Sequence, residues 1–339
     1  MIKTIQLIKI FSLMLVLALA AHVKSDDTVA RYYDGKTIVL SVGYSAGGGY
    51  DLYARAIARH LGQFIPGNPS VIVRNVPGAG SLVLMNQVAN TLPADGLNIA
   101  SVGSGIAFEP LFQNDQAQFD ISEMKWLANL LETTSSAAVV RKDSGIESWQ
   151  DLREKTLTVG ATSTTSNSGI IPKAIAELLD LNINVITGYP GQSDVLLAME
   201  RNEVQGIGSY FMSALRIGSP HFLDEDGDYR IIYQLGLRAD PAIPNVPLIS
   251  EIAQTQAQRQ AANILATRLA FGRPYLAPPG TPDHLVKALQ DAFRELAKDE
   301  AFLAEGLDIN YTSPEDLLNF YLEAYQSDPE VIQRVIRLL

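Results

Sequence analysis

The chain has 339 residues, 47% hydrophobic and 19% charged, which is globular material with core enough for one large or two medium domains. A formal charge of -11 opposes binding to nucleic acid or anionic lipid, since those polyanions are held by basic patches. With no cysteine there is no disulfide, thiol catalysis or thiolate metal site, and the four histidines form no H-x-x-x-H pair, so no metal and no cofactor is expected.

Residues 1–25 read as a secretory signal peptide: Lys3 and Lys9 lead into the apolar run from Ile10 to Ala21, and Ala18, Ala20, Ala21 and Ser25 offer cleavage positions. The run is too short for a membrane anchor, which needs roughly 20 apolar residues in a helix. No second span follows, so the mature chain is expected in a bacterial periplasm and not embedded in a membrane. Thr37 to Val42 then reads as a strand ending in Gly43-Tyr44-Ser45-Ala46-Gly47-Gly48-Gly49, and Tyr53, Ile57, Leu61 and Phe64 recur at helical spacing. Val71 to Val73 is the next predicted strand, followed by a loop at Pro77-Gly78-Ala79-Gly80-Ser81 and a helix from Leu82 to Asn90. A third strand, Leu97 to Val102, ends in Gly103-Ser104-Gly105. Strand, loop and helix repeated in this way predict a mostly parallel sheet with helices on its faces.

The pattern restarts with Ser148-Trp149-Gln150-Asp151 as a capping-box helix start. Thr156 to Val159 is a predicted strand, and a Ser/Thr loop, Gly160 to Ser168, opens a helix marked by Ile171, Ile175 and Leu178. A further strand, Asn184 to Thr187, runs through Gly188-Tyr189-Pro190-Gly191 to a helix predicted to begin at Asp194 with Ser193 as its N-cap. The last stretch, with helix starts at Thr281-Pro282-Asp283 and Ser313-Pro314-Glu315, is expected to pack back on the first unit.

Strand-to-helix turns of open parallel sheets are where ligands settle, and each helix start offers unpaired N–H groups and a partial positive charge. The loops at 45–51 and 161–168 therefore suit one anion pinched between two lobes, held without a lysine. A rival lies in the same letters. Gly43-Tyr44-Ser45-Ala46-Gly47 matches G-x-S-x-G, which would make Ser45 the nucleophile of a secreted esterase. Its place on the first mature strand argues against it, because no earlier strand supplies an oxyanion loop, and His60, His221 and His284 read as surface or capping residues.

The motifs in order resemble the TctC/Bug family, the solute-binding proteins of tripartite tricarboxylate transporters. Tyr44 to Asp51 is similar to its P-A-G-G-x-x-D loop, Val73 to Ser81 to N-x-P-G-A-G-G, Pro93-Ala94-Asp95-Gly96 to P-x-D-G-Y, Gly188 to Gly191 to x-Y-x-G-G, and Leu276 to Pro282 to F-A-P-x-G-T-P. The resemblance implies an α/β, two-lobed periplasmic binding protein of the type II Venus-flytrap kind, each lobe a mostly parallel sheet flanked by helices. It implies capture of a small mono-, di- or tricarboxylate and delivery to a large and a small membrane subunit, with no enzyme activity. The expected ligand-binding residues are Tyr44, Ser45, Ala46, Gly47, Gly48, Gly49 and Asp51 on one lobe and Thr162, Ser163, Thr164 and Ser166 on the other. Tyr189 is added as a lid over the ligand's apolar part. Gln205 is added where the family commonly has an acidic residue, and Tyr44 replaces the usual loop proline. Lobe one is expected over 28–135 plus 266–339 and lobe two over 136–265, as a monomer. Arg273 is expected in a salt bridge with an acidic partner near the hinge, with pairing to a second ligand carboxylate as the other reading.

Overall fold

The computed structural model describes residues 27–131, 135–267, 269 and 272–326. The predicted signal peptide lies outside them. After a helical stretch over 27–33 (α1), β1 (Thr37–Val42) buries its apolar side chains and pairs in parallel with β2 (Ser70–Asn75) on one side and β3 (Asn98–Ser101) on the other. Between these strands run α2 (Gly49–His60) and α3 (Leu82–Asn90). The sheet is completed by β4 (Lys125–Asn129) and, from late in the chain, β10 (Pro274–Ala277), and its order is β2-β1-β3-β10-β4.

The chain then crosses to a second sheet. β5 (Ser135–Arg141) is followed by the Ser148 capping box, closed by Asp151 as the sequence predicts. β6 (Leu157–Ala161), α4 (Asn167–Leu179), β7 (Ile183–Thr187), α5 (Gln192–Glu200), β8 (Gly206–Phe211), α6 (Met212–Gly218) and β9 (Tyr229–Gly236) complete it, with strand order β7-β6-β8-β5-β9. The return passes through α7 (Ile249–Ile252) and α8 (Gln256–Thr267) to β10 (Pro274–Ala277), which inserts antiparallel between β3 and β4. α9 (Asp283–Leu296) and α11 (Pro314–Tyr325) pack back on the first sheet, as expected, and α10 (Glu300–Leu303) packs on α2; Gln290 Nε2 donates to the Trp126 carbonyl at 2.9 Å.

Both sheets are mixed, each with one antiparallel strand: β10 in the first and β5 in the second, the latter antiparallel to β8 and β9. The reading by periodicity anticipates neither. β5 is buried along almost its whole length and β10 throughout, so neither shows the apolar-polar alternation of a half-exposed strand. One helix start also differs. α5 begins at Gln192 with the extended Gly191 as N-cap and no side-chain cap, instead of starting at Asp194 behind Ser193. Ser193 and Asp194 are turned toward the first lobe.

Candidate functional site

The parallel strands of the two sheets end in loops that face each other. In the first lobe the glycine loop is braced from behind. Asp51 is buried, and its carboxylate accepts from the Gly47 N–H at 2.9 Å, Arg55 Nε at 2.8 Å and Asn75 Nδ2 at 3.0 Å. Burial pushes this carboxyl up, and the donors of Arg55, Gly47 and Asn75 outweigh it, holding Asp51 below the usual carboxylate range. Gly47 takes a φ of +84°, where a side chain would be strained. Asp51 and Gly47 thus shape the loop.

Tyr44 and Tyr50 stack at 4.6 Å, the Tyr44 hydroxyl donates to the Gly80 carbonyl at 3.2 Å, and the Ser104 N–H donates to Tyr50 Oη at 3.0 Å. These contacts join the loops after β1, β2 and β3 into one wall. In the second lobe the Ser/Thr loop is bonded to itself: the Thr162 N–H donates to Ser168 Oγ at 3.1 Å, and the Ser166 N–H to Ser163 Oγ at 2.9 Å. Asn167 Nδ2 reaches across to Ser104 Oγ at 2.8 Å.

Between these walls lies a narrow pocket in which the starts of three helices meet: Gly48 and Gly49 of α2, Ser166 to Ser168 of α4, and Gln192 of α5 all line it. Each start presents N–H groups without intrahelical partners and a partial positive charge. Tyr44, Tyr50, Glu109 and Phe211 complete the lining. Behind Gly49 stands Arg273, wholly buried, its guanidinium carbon 4.0 Å from the Tyr53 ring centroid and 4.8 Å from that of Tyr50. The expected salt bridge is not what holds it: among the described residues its three side-chain nitrogens have no hydrogen-bond partner, and the tyrosine faces carry the cation instead. Ring faces compensate a buried cation only in part, so its field favours an anion nearby.

Besides Gly47 and Asp51, which brace the glycine loop, the structure sorts the predicted site residues into four groups. Tyr44, Gly48, Gly49, Thr162 and Ser166 line the pocket. Ser163, Thr164 and Tyr189 instead line a wider neighbouring cleft with Pro77 to Ala79, and Thr162 borders both. Ser45 and Ala46 form an interlobe seam: Ser45 Oγ donates to the Asp194 carboxylate and lies 3.2 Å from Ser193 Oγ, which in turn donates to the Ala46 carbonyl at 3.0 Å. Gln205 is not brought to the group. It sits just before β8, at the far end from Phe211 and about 20 Å along the strand. There its Oε1 accepts from the Thr158 N–H at 2.8 Å, so it ties the entry of β8 to its neighbour β6.

Reading the sequence for this site missed Ser104, Glu109, Asn167, Gln192 and Phe211. The Gly103-Ser104-Gly105 run after β3 is a third strand-end turn of the same kind as the other two and carried the clue; nothing in the local sequence marks Glu109.

The profile of the tripartite tricarboxylate transporter family receptor, TctC, matches residues 53–336. The chain belongs to the TctC family. Two UPF0065 proteins are similar to this TctC chain: one of Cupriavidus necator, 24% identical over 90% of this chain and 89% of its own length, and one of Bordetella pertussis, 24% identical over 96% and 98%. Among solved structures, periplasmic binding protein BugD superposes with a TM-score of 0.71 at 18% identity, covering 89% of this chain and 98% of its own. MatC of Rhodopseudomonas palustris with bound malate gives 0.69 at 18%, over 89% and 99%. An R. palustris protein with adipate gives 0.69 at 18%, over 89% and 97%. These likenesses establish the fold of this TctC chain as the two-lobed α/β periplasmic binding protein. Among the described residues no helix is long and apolar enough to cross a membrane.

Proposed function

We propose that this chain captures a small carboxylate between two lobes, 28–135 plus 266–339 and 136–265, in the periplasm, and delivers it to the large and small membrane subunits of a tripartite transporter. The observation that carries the reading is the meeting of three helix starts in one pocket, with the Arg273 guanidinium behind it. Malate and adipate, bound in two proteins of the same fold, are carboxylates, and an anionic carboxyl group is what a pocket of helix starts suits. The ligand touches both lobes, so it stabilises their closed arrangement by its greater affinity for it.

The hydrolase reading of Ser45 fits less well. Its hydroxyl is taken by Asp194 and Ser193, while His60 is 3.0 Å from Glu305 and His221 packs on Phe222 and Tyr229.

Calorimetry on the mature protein, preceded by a thermal-shift screen of carboxylates, tests the proposal. A carboxylic acid is expected to bind and its neutral amide to bind about tenfold or more weakly. Gly48→Asp should abolish binding through charge, since the nearest atoms to a side chain there are 3.9 Å away and leave it room. Equal affinity for acid and amide would refute the reading.

A further inference from the structure

Glu109 carries the same sign of charge as the ligand just proposed, yet it lines the same pocket as the helix starts. It is 2% exposed, follows the short turn Ile106–Phe108, and accepts from Asn114 Nδ2 at 2.7 Å through Oε2. Among the described residues no lysine, arginine or histidine forms an ion pair with it. A buried carboxylate served by a neutral amide and by no ion pair among the described residues is incompletely compensated, and a cationic partner is what would complete it.

The pocket lining therefore carries both signs: the helix starts, with Arg273 behind Gly49, and the Glu109 carboxylate. Tyr44, on the same lining, feels both charges: burial and then Tyr50 push its hydroxyl well above the ordinary range, Glu109 adds to the rise, and Ser81 and Arg273 oppose it. A second acceptor waits on the same lining. Asn167 Oδ1 is buried and has no hydrogen-bond partner among the described residues, while its amide nitrogen is spent on Ser104.

We infer that Glu109 selects a zwitterion: a carboxylate that also carries an ammonium group, with the carboxylate on the helix starts and the ammonium donating to Glu109. This rests on the carboxylate reading and names the ligand class within it. Simple di- and tricarboxylates would bring a second anion toward Glu109 and are disfavoured by it.

The test is calorimetry on matched pairs differing only in the amino group: alanine against propionate, aspartate against succinate, glutamate against glutarate. In the wild-type protein the amino member of at least one pair is expected to bind about tenfold to a hundredfold tighter, the worth of a hydrogen bond between charged groups. Glu109→Gln keeps the shape and an acceptor for Asn114, and should erase or invert that preference. Glu109→Asp keeps the charge one methylene further back and should retain part of it.

Equal or tighter binding of the des-amino acids by the wild type overturns this inference and leaves the carboxylate reading standing. That comparison does not depend on any variant folding. An unchanged preference in Glu109→Gln removes Glu109 as its source. If no acid of either kind binds, both readings fall.

Discussion

Replacing Ser45 by alanine separates the seam between the lobes from the chemistry of a nucleophile. The Ser45 hydroxyl donates to Asp194 and lies 3.2 Å from Ser193 Oγ, so the substitution removes one charge-assisted hydrogen bond and one neutral contact. A hydrogen bond to a charged group contributes about 1.5–3 kcal/mol net. Both residues are half-buried and water recovers part of the loss, which leaves about 1 to 2 kcal/mol. Because the contact spans two lobes, the loss falls on the closed form and weakens ligand binding about 5- to 30-fold. Calorimetry with the best carboxylate of the screen measures it, and thermal melting of the ligand-free protein checks that each lobe keeps its fold. A double-mutant cycle with Asp194→Ala should show that the two single losses overlap. An unchanged Kd in Ser45→Ala, or single effects that simply add, would refute the seam. Labelling of Ser45 by a fluorophosphonate, lost on mutating a histidine, would make it a nucleophile instead.

Two further perturbations probe the packing around the site. At Gly49 a side-chain carbon would stand 2.7 Å from Ala214 Cβ and 2.8 Å from Arg273 Nη2, well inside the 3.5–4.0 Å that carbon contacts prefer, so Gly49→Ala should force α2 off α6. A cost of about 1–3 kcal/mol is expected as a lower melting temperature, and an unchanged melt would count against that packing. Glu305 takes hydrogen bonds from Arg59 first and His60 next, which draw its carboxyl from 4.5 down to about 2. A depressed carboxyl contributes stability that is full above its unfolded value and is lost as pH falls through the folded one. Urea midpoints of Glu305→Gln should thus decline less than wild type between pH 4.5 and 2, and parallel declines would contradict the assignment.

What the sequence made legible follows from which forces act locally. Thr37 to Val42 read as a strand because a parallel strand is apolar along its length and stops at glycine, and the loops after it read as anion cradles because glycine and hydroxyls precede a helical pattern. The antiparallel strands were not legible, since β10 pairs with Ser101 and Asn129, residues more than a hundred positions away, and its Pro274-Tyr275-Leu276-Ala277 has no strand period. Gln205 was placed by analogy of motif, yet its side chain bonds Thr158 at the opposite end of the sheet; one local pattern cannot tell which end of a strand a residue occupies. Arg273 was given an acidic partner from charge alone, whereas three-dimensional packing puts it on Tyr53 and Tyr50.

The α5 helix begins without a side-chain cap of its own, and the two residues best suited to supply one, Ser193 and Asp194, are bonded to Ala46 and Ser45 of the other lobe. Two side chains of its first turn are thus held by a neighbour that is covalently remote. Parting the lobes returns those side chains to their own helix or to water, so fraying at Gln192–Val195 and opening of the cleft are one event. The backbone amides of that turn are then a gauge already built into the chain: slow to exchange when the lobes meet, fast when they part, and readable without attaching any probe.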